Sequence, residues 1–314
     1  MNIKLSIIIP STNDNKYVDE CLKSFYKFKF NFTYEIIVID NGSKIDESIL
    51  LKSKYHKVVF KRLEKNLGYA GAINEGLNIS KGEYVLLPDA DTVFLDDKLN
   101  NAIKYMDTQS NVGILGPRLL YPNGELQRSI EVNMPLSRRL LAYFYSSLFL
   151  TKLFKKHDLN PEQLQEVTFI VGSVQLVRRK MIYQIGMLDT QFFFSAEERD
   201  WCLRAMKDGW KLIYYPDWKM IHYGGGVQGG VWYLYNWHSN SMRLYKKYWG
   251  IKGLILSKIV FVLYSLTHTF KSIIKCVINF KKDPYLYHNW LLLIWHFGFI
   301  NGDKLRNRDD MRRI

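Results

Sequence analysis

Cysteine is scarce in this chain, and the few residues present follow no pattern. Cys21, Cys202 and Cys276 are odd in number and far apart. They can build neither a disulfide framework nor the paired spacing of a zinc site. Three small buried apolar side chains in a reducing compartment are expected instead. A secretory leader is not legible either. The apolar run in MNIKLSIIIPSTN is too short for a signal core and no small-residue cleavage site follows it, so this start reads as a first β-strand of a cytoplasmic protein. Internal repeats and low-complexity tracts are missing. Acidic residues are outnumbered 30 to 44 by Lys and Arg, a formal net charge of +14. Much of that excess lies between Arg243 and Ile314, with 14 basic and 4 acidic residues. A basic surface suits nucleic acid, anionic lipid or phosphorylated substrates. With 47% apolar residues over 314 positions, disorder is excluded and one large α/β domain or two smaller ones can be built.

What is present is an alternation of strand-like and helix-like patterns. Leu5 to Ile9 is a β-branched run ending at Pro10, and Tyr17 to Phe28 has helical spacing with Asn13 or Asp14 available as a cap. Strands are predicted at Glu35–Ile39, Val58–Leu63 and Tyr84–Leu87, with a helix over Tyr69–Ile79. Unbroken apolar strands alternating with helices imply a parallel sheet covered on both faces. Ligands of such sheets bind outside the carboxyl ends of the strands. The fold would therefore gather Ser11-Thr12-Asn13, Asp40-Asn41, Asn66-Leu67-Gly68 and Asp89-Ala90-Asp91 on one edge. Further along, a helix is predicted at Leu99–Met106, a strand at Val112–Leu115, a turn at Pro122-Asn123-Gly124 and one strand across Val167–Val177.

Asp89 and Asp91 close the most informative of these clusters. Two carboxylates one residue apart at the end of a buried strand need a partner. A divalent cation carrying a diphosphate fits, since Mg²⁺ takes one or two carboxylates and fills its other positions with phosphate oxygens and water. The alternative is a pair of acids that opens a surface loop. Asp40 can accept the N3–H of a uracil or thymine ring, or simply serve the turn Asp-Asn-Gly-Ser. The small residues from Asn66 to Gly76 let backbone approach a diphosphate at a helix N-terminus. Their glycine spacing is not that of the dinucleotide fingerprint.

Taken together, SIIIPSTN, IVIDNGS, NLGYAGAINEG and LLPDAD resemble the successive motifs of glycosyltransferase family 2. VGSVQLVRRKMIYQIGMLDTQFFFSAEERDWCLRAMKDGWKLIYYPDWKMIHYGGG is similar to the acceptor half of its bacterial rhamnosyltransferase-like branch. The likeness covers about residues 3 to 250. It implies a GT-A fold, a Rossmann-like α/β domain with a mostly parallel central sheet, and inverting transfer from a nucleotide-sugar donor with Mg²⁺ or Mn²⁺. It places the nucleotide-sugar half at 1–95 and the acceptor and catalytic half at 96–230, and the basic, aromatic composition that follows adds a helical, membrane-associating region at 231–314. By position, Pro10, Thr12, Asp40, Asn66, Gly68 and Asp89 would bind the donor, and Asp91 with His222 would hold the metal. For His222 a structural hydrogen bond is the alternative. The family's general base is the Asp of a Glu-Asp pair, and here Glu197-Glu198 stands in its place. Glu198 occupies the base position, with Glu197 and Asp200 as alternatives. One of these acids can equally serve the helix dipole. The Gln-x-x-Arg-Trp motif and multiple spans of processive synthases are not found, which favours addition of a single sugar.

The C-terminal region carries apolar stretches at Ile259–Phe270 and Pro284–Ile300, the first too short to span a bilayer and the second better suited to its boundary. With the basic-flanked segment 134–157 they imply an anionic membrane surface, or else an oligomer interface. The reading is a cytoplasmic enzyme, peripheral on the inner face of the membrane. It would use a dTDP- or UDP-linked donor and a glycan, lipid-linked acceptor, and would not engage nucleic acid. A sugar-nucleotide pyrophosphorylase would need a basic Gly-rich first loop, which SIIIPSTNDN lacks. A non-catalytic glycan-binding protein is the remaining alternative.

Overall fold

The computed structural model describes residues 2–44, 46, 48–148, 150, 160–224, 231–279 and 283–302. Gly225 and Gly226 of the IHYGGG motif, the basic flank at 151–157 and the extreme tail at 303–314 lie outside this set. The chain forms two compact units. One comprises Met1–Asn133, Asp158–Phe193 and Glu197–Gly224, the other Met134–His157, Phe194–Ala196 and Gly225–Ile314.

In chain order the elements begin with β1 (Leu5–Ser11), α1 (Asn15–Tyr26), β2 (Tyr34–Asp40), α2 (Ser48–Lys54), β3 (Val58–Arg62), α3 (Gly68–Ile79) and β4 (Tyr84–Pro88). There follow β5 (Thr92–Phe94), α4 (Leu99–Thr108), β6 (Val112–Leu120), β7 (Ile130–Glu131), α5 (Leu136–Ser147), β8 (Gln165–Val167) and β9 (Phe169–Ile170). The last are β10 (Val174–Arg178), α6 (Arg179–Ile185), α7 (Glu197–Lys207), β11 (Lys211–His222), α8 (Val231–Asn279) and α9 (Pro284–His296).

The first unit is built on a sheet of order β3-β2-β1-β4-β10-β6-β11-β5, with β8 pairing to β11. The first four strands are parallel, as their unbroken apolar runs require. β1 and β4 are wholly buried along Leu5–Ile9 and Tyr84–Leu87, with one apolar cluster on each face of the sheet. β10 then runs antiparallel between β4 and β6, and β11 returns parallel to β6. Six of the nine strands therefore share one direction among the described residues, with β5, β8 and β10 opposed.

Four expectations need correction. Asp14 stands at the N-cap of α1, but its side chain makes no cap hydrogen bond. Asn13 instead has positive φ, and its side-chain oxygen accepts from Lys44 N at 2.9 Å. The single strand predicted over Val167–Val177 is three short ones, β8, β9 and β10, because the chain turns at Thr168 and again at Gly172-Ser173. Cys21 and Cys202 are buried, but Cys276 is only half-buried and its Sγ accepts from Asp283 N.

The second unit is helical among its described residues. The fourth correction falls there, since the Ile259–Phe270 stretch is not a short element of its own. It is part of α8, which runs 49 residues and breaks helical geometry only at Gly250 (φ 64°, ψ −149°). α5 and α9 both pack on α8, with Tyr143, Trp237 and Phe261 in aromatic contact at 5.2–5.5 Å between ring centres.

Candidate active site

The carboxyl ends of β1, β2, β3 and β4 do converge. Ser11 pairs in register with Asp40, and Asp40 with Arg62. Pro10 lies within β1 opposite Ile39, and Thr12 follows the strand, partly exposed. Asp40 is buried. One carboxylate oxygen accepts from Ser43 N at 2.9 Å, and the other lies 3.6 Å from the Arg62 guanidinium. The Ser11 hydroxyl beside it is buried with no hydrogen-bond partner among the described residues.

Asn41 and Asn66 stitch the next two loops together. The Asn41 amide donates to Asn66 Oδ1 at 3.0 Å, its carbonyl accepts from Leu67 N at 2.8 Å, and Asn66 Oδ1 also accepts from Gly68 N at 2.8 Å. Asn66 and Gly68 thus shape the rim. At Gly68 φ is +77°, and a Cβ there would lie 2.3 Å from the Phe193 carbonyl oxygen, which already accepts from Tyr69 N at 3.0 Å. Only glycine meets both conditions.

Asp89 and Asp91 follow β4. The Asp89 N–H donates to the Ser173 carbonyl at 2.8 Å, so β10 holds this end of the strand. β11 reaches the same place from the other side. Its pairing with β5 puts His222 opposite Thr92, one residue beyond Asp91. His222 Nε2 consequently lies 3.4 Å from Asp91 Oδ1 and 3.8 Å from Asp89 Oδ2. One potential ligand atom from each of the three lies within 4.8 Å of the others. The Gln127 side-chain oxygen faces His222 Nδ1 at 2.8 Å and favours the tautomer that leaves Nε2 free of hydrogen. Gly224 N donates to Asp91 Oδ2 at 3.1 Å.

The electrostatics match a cation site. Burial pushes the Asp89 carboxyl up to about 6, and the charges of Asp91 and Glu198 push the same way against His222. Its side chain remains 29% exposed, so an ion can reach it. Burial alone would lower the His222 pKa, but the Asp91 hydrogen bond and the Asp89 charge outweigh it and the net shift is upward. Two carboxylates and an imidazole form a donor set that fits Mg²⁺ or, with its nitrogen, Mn²⁺.

The EERD cluster opens α7. Glu197 and Asp200 are buried and Glu198 is partly exposed. Asp200 is ion-paired with Arg204 Nε at 2.8 Å, and the Arg204 guanidinium also donates to the Ile185 and Met187 carbonyls. Arg199 pairs with Glu131 at 3.0 Å and lies 3.7 Å over the Phe169 ring. Glu198 packs on Gly172, where an added Cβ would come 3.5 Å from its own Cβ. The sequence gives no warning of the residue that joins the two acidic groups. Tyr69 donates its hydroxyl to the Gly172 carbonyl at 2.9 Å. Burial pushes its pKa far up, reinforced by Asp89, Glu197 and Glu198 together. An aromatic at a helix start ordinarily reads as core, and Gln127 sits in a loop without pattern, so neither carries a sequence signal.

A sheet of this order, with an Asp-x-Asp at the end of its fourth strand and a histidine returned to it, defines a GT-A fold. The likenesses agree. The crystal structure of residues 1–349 of Staphylococcus aureus TarS superposes with a TM-score of 0.53 at 17% identity, over 94% of this chain and 80% of that one. A Pyrobaculum calidifontis mannosyltransferase in complex with GDP-Man and Mn²⁺ gives 0.55 at 14%, over 99% and 84%. The model of glycosyl transferase family 2 matches residues 6–186, and the chain belongs to that family. By sequence it is 30% identical over 213 residues to S. aureus TarS, a poly(ribitol-phosphate) β-N-acetylglucosaminyltransferase, covering 63% of this chain and 36% of that protein. It is 24% identical over 204 residues to the N-acetylglucosaminyl-diphospho-decaprenol L-rhamnosyltransferase of Mycobacterium tuberculosis, covering 60% and 66%. An uncharacterised glycosyltransferase of Methanocaldococcus jannaschii matches at 26% over 45% of this chain and 51% of its own length. The chain thus spans about half or less of several of the relatives it matches.

Proposed function

We propose that this protein is a metal-dependent, inverting glycosyltransferase. It adds one sugar from a dTDP- or UDP-linked donor to a lipid-linked glycan in cell-surface polysaccharide synthesis. It would work as a peripheral protein on the cytoplasmic face of the membrane. The observation that carries this reading is the Asp89–Asp91–His222 group lying beside Glu198, with Tyr69 between them. The M. tuberculosis relative is named for transfer of L-rhamnose to a diphospho-decaprenol glycan, which makes rhamnose the first sugar to test.

Asp91, His222 and Asp89 would hold Mg²⁺ or Mn²⁺, which when bound offsets the charge that develops on a leaving diphosphate. Asp40, beside the Ser11 hydroxyl, would take the base, and Pro10 and Thr12 would line its slot. Asn66 and Gly68 would support the diphosphate rim. Glu198 would accept the proton of the acceptor hydroxyl. As that proton leaves, the acceptor oxygen bonds to the anomeric carbon from the face opposite the diphosphate, and the carbon–diphosphate bond breaks with its electrons. Asp200, wholly buried against Arg204, is left to hold α7, and Glu197 has less access than Glu198.

The test is transfer from dTDP- and UDP-sugars with Mg²⁺ or Mn²⁺, with the product anomer read by NMR. Inverted configuration is expected. Glu198→Gln should lose 10²- to 10⁴-fold in transfer rate while still binding donor, the range for a removed general base. Retained configuration, or a Glu198→Gln enzyme within threefold of wild type, contradicts the assignment.

A further inference from the structure

The second half of α8 exposes an apolar face that a helix in water would bury. After Gly250, the side chains of Ile251, Ile255, Ile259, Leu266, Phe270 and Val277 stand outward, each 44–67% exposed. Their spacing of four and seven residues keeps them on one face. The buried residues of this half are Val260 and Phe261 together with the small and hydroxyl residues Gly253, Ser257, Ser265, Thr269 and Ser272. Ser257 and Thr269 each return a hydrogen bond to their own helix at 2.7 Å, to Gly253 O and Ser265 O. Five small or hydroxyl residues on the buried side leave much of the helix's apolar bulk outward, an arrangement suited to apolar surroundings.

The charge identifies what those surroundings are. Lys252, Lys258, Lys271 and Lys275 are exposed along this half, and α8 contains no Asp or Glu in its 49 residues. A second copy of the same face would bring like charges together, whereas an anionic bilayer complements them. Length and composition alone would allow α8 to cross a membrane. The exposed lysines argue otherwise. Only twelve residues separate Lys258 from Lys271, about 18 Å of helix against a hydrocarbon core of about 30 Å.

We infer that residues 251–278 lie along an anionic membrane surface, with the Ile251–Val277 face buried at the headgroup–acyl boundary and the lysines among the phosphates. This rests on the proposed lipid-linked acceptor only for its purpose. Its physical basis is independent of catalysis.

The experiment is flotation of the purified full chain with vesicles of phosphatidylcholine, alone or with phosphatidylglycerol. Wild type should float with the mixed vesicles, and less so at high salt. Ile259→Asp/Phe270→Asp places charge only at exposed positions and should lower the partition coefficient at least tenfold. Tyr183→Asp, 77% exposed on α6, should leave it unchanged. Lys258→Glu/Lys271→Glu should weaken binding to the anionic vesicles alone. Equal flotation of wild type and the Ile259/Phe270 variant overturns the inference. So does a wild type that stays in solution as an oligomer which the same variant dissociates. Nucleotide release from a donor sugar without acceptor is followed in parallel. Normal release with no flotation refutes the membrane face alone, and no release in any condition refutes the glycosyltransferase reading instead.

Discussion

At the scale of single residues, the site is a concentration of unfavourable placements. Asp89, Asp91 and Glu198 crowd one edge of the sheet, and the Asp89 carboxyl rises to about 6, first through burial and then through its acidic neighbours. A protein gains nothing in stability from this arrangement unless something positive binds. Asp19 shows the contrast. Burial would raise its carboxyl, but hydrogen bonds from Lys23, Lys54 and Tyr55 win and bring it down to about 2. Its folded pKa lies below the ordinary value of 3.8, so its contribution is fully present above that value and is lost as pH falls through about 2. Denaturant titrations should show stability falling by about 1 kcal/mol more between pH 5 and pH 2 in wild type than in Asp19→Asn, the lysine partners being well solvated. Parallel pH curves would contradict this. Asp89, Asp91 and Asp40 were legible in the sequence because each ends a buried apolar run, where a charge has few innocent uses. Tyr69 and Gln127 were not, since their hydrogen bonds reach partners 103 and 95 residues away along the chain.

At the scale of elements, two pairings make the site. β10 enters antiparallel beside β4 and brings Ser173 to Asp89 and Gly172 to Tyr69. β11 reaches β5 and delivers His222, after register shifts around Pro216 that a proline inside a strand makes intelligible. The parallel half of the sheet was readable from its β-branched runs. The region from Gln165 to Arg178 was not, because strands of two, three and five residues are too short for a period to register. α7 is held in place by charge. Arg199 and Glu131 are about a tenth exposed or less and form an ion pair at 3.0 Å across to β7. Arg199→Ala would break this buried pair, with Arg128 still 3.9 Å from Glu131, at a cost of up to about 3 kcal/mol. Thermal or denaturant unfolding measures it, and a loss under about 1 kcal/mol would show that the pair does not anchor α7.

At the scale of the whole molecule, the chain divides between a sheet-based unit that carries every candidate donor, metal and base residue and a helical unit that carries most of the excess positive charge. The C-terminal apolar stretches were visible in the sequence, but their continuity was not. Lysines cut the pattern into short windows, while the helix runs through them and changes course only at Gly250. The exposed apolar face of α8 likewise emerges only once burial assigns its faces. The central claim concerns the sheet-based unit: the Asp89–Asp91–His222 group couples nucleotide binding to a divalent cation. Thermal shift of wild type and Asp91→Ala, with dTDP and UDP in the presence of Mn²⁺ or of chelator, tests it most directly, because a ligand that binds only the folded state raises its stability. The account predicts that nucleotide raises Tm in wild type with Mn²⁺, and that chelator or Asp91→Ala removes the rise. A nucleotide-induced rise of equal size in both proteins, or one indifferent to the metal, would contradict it.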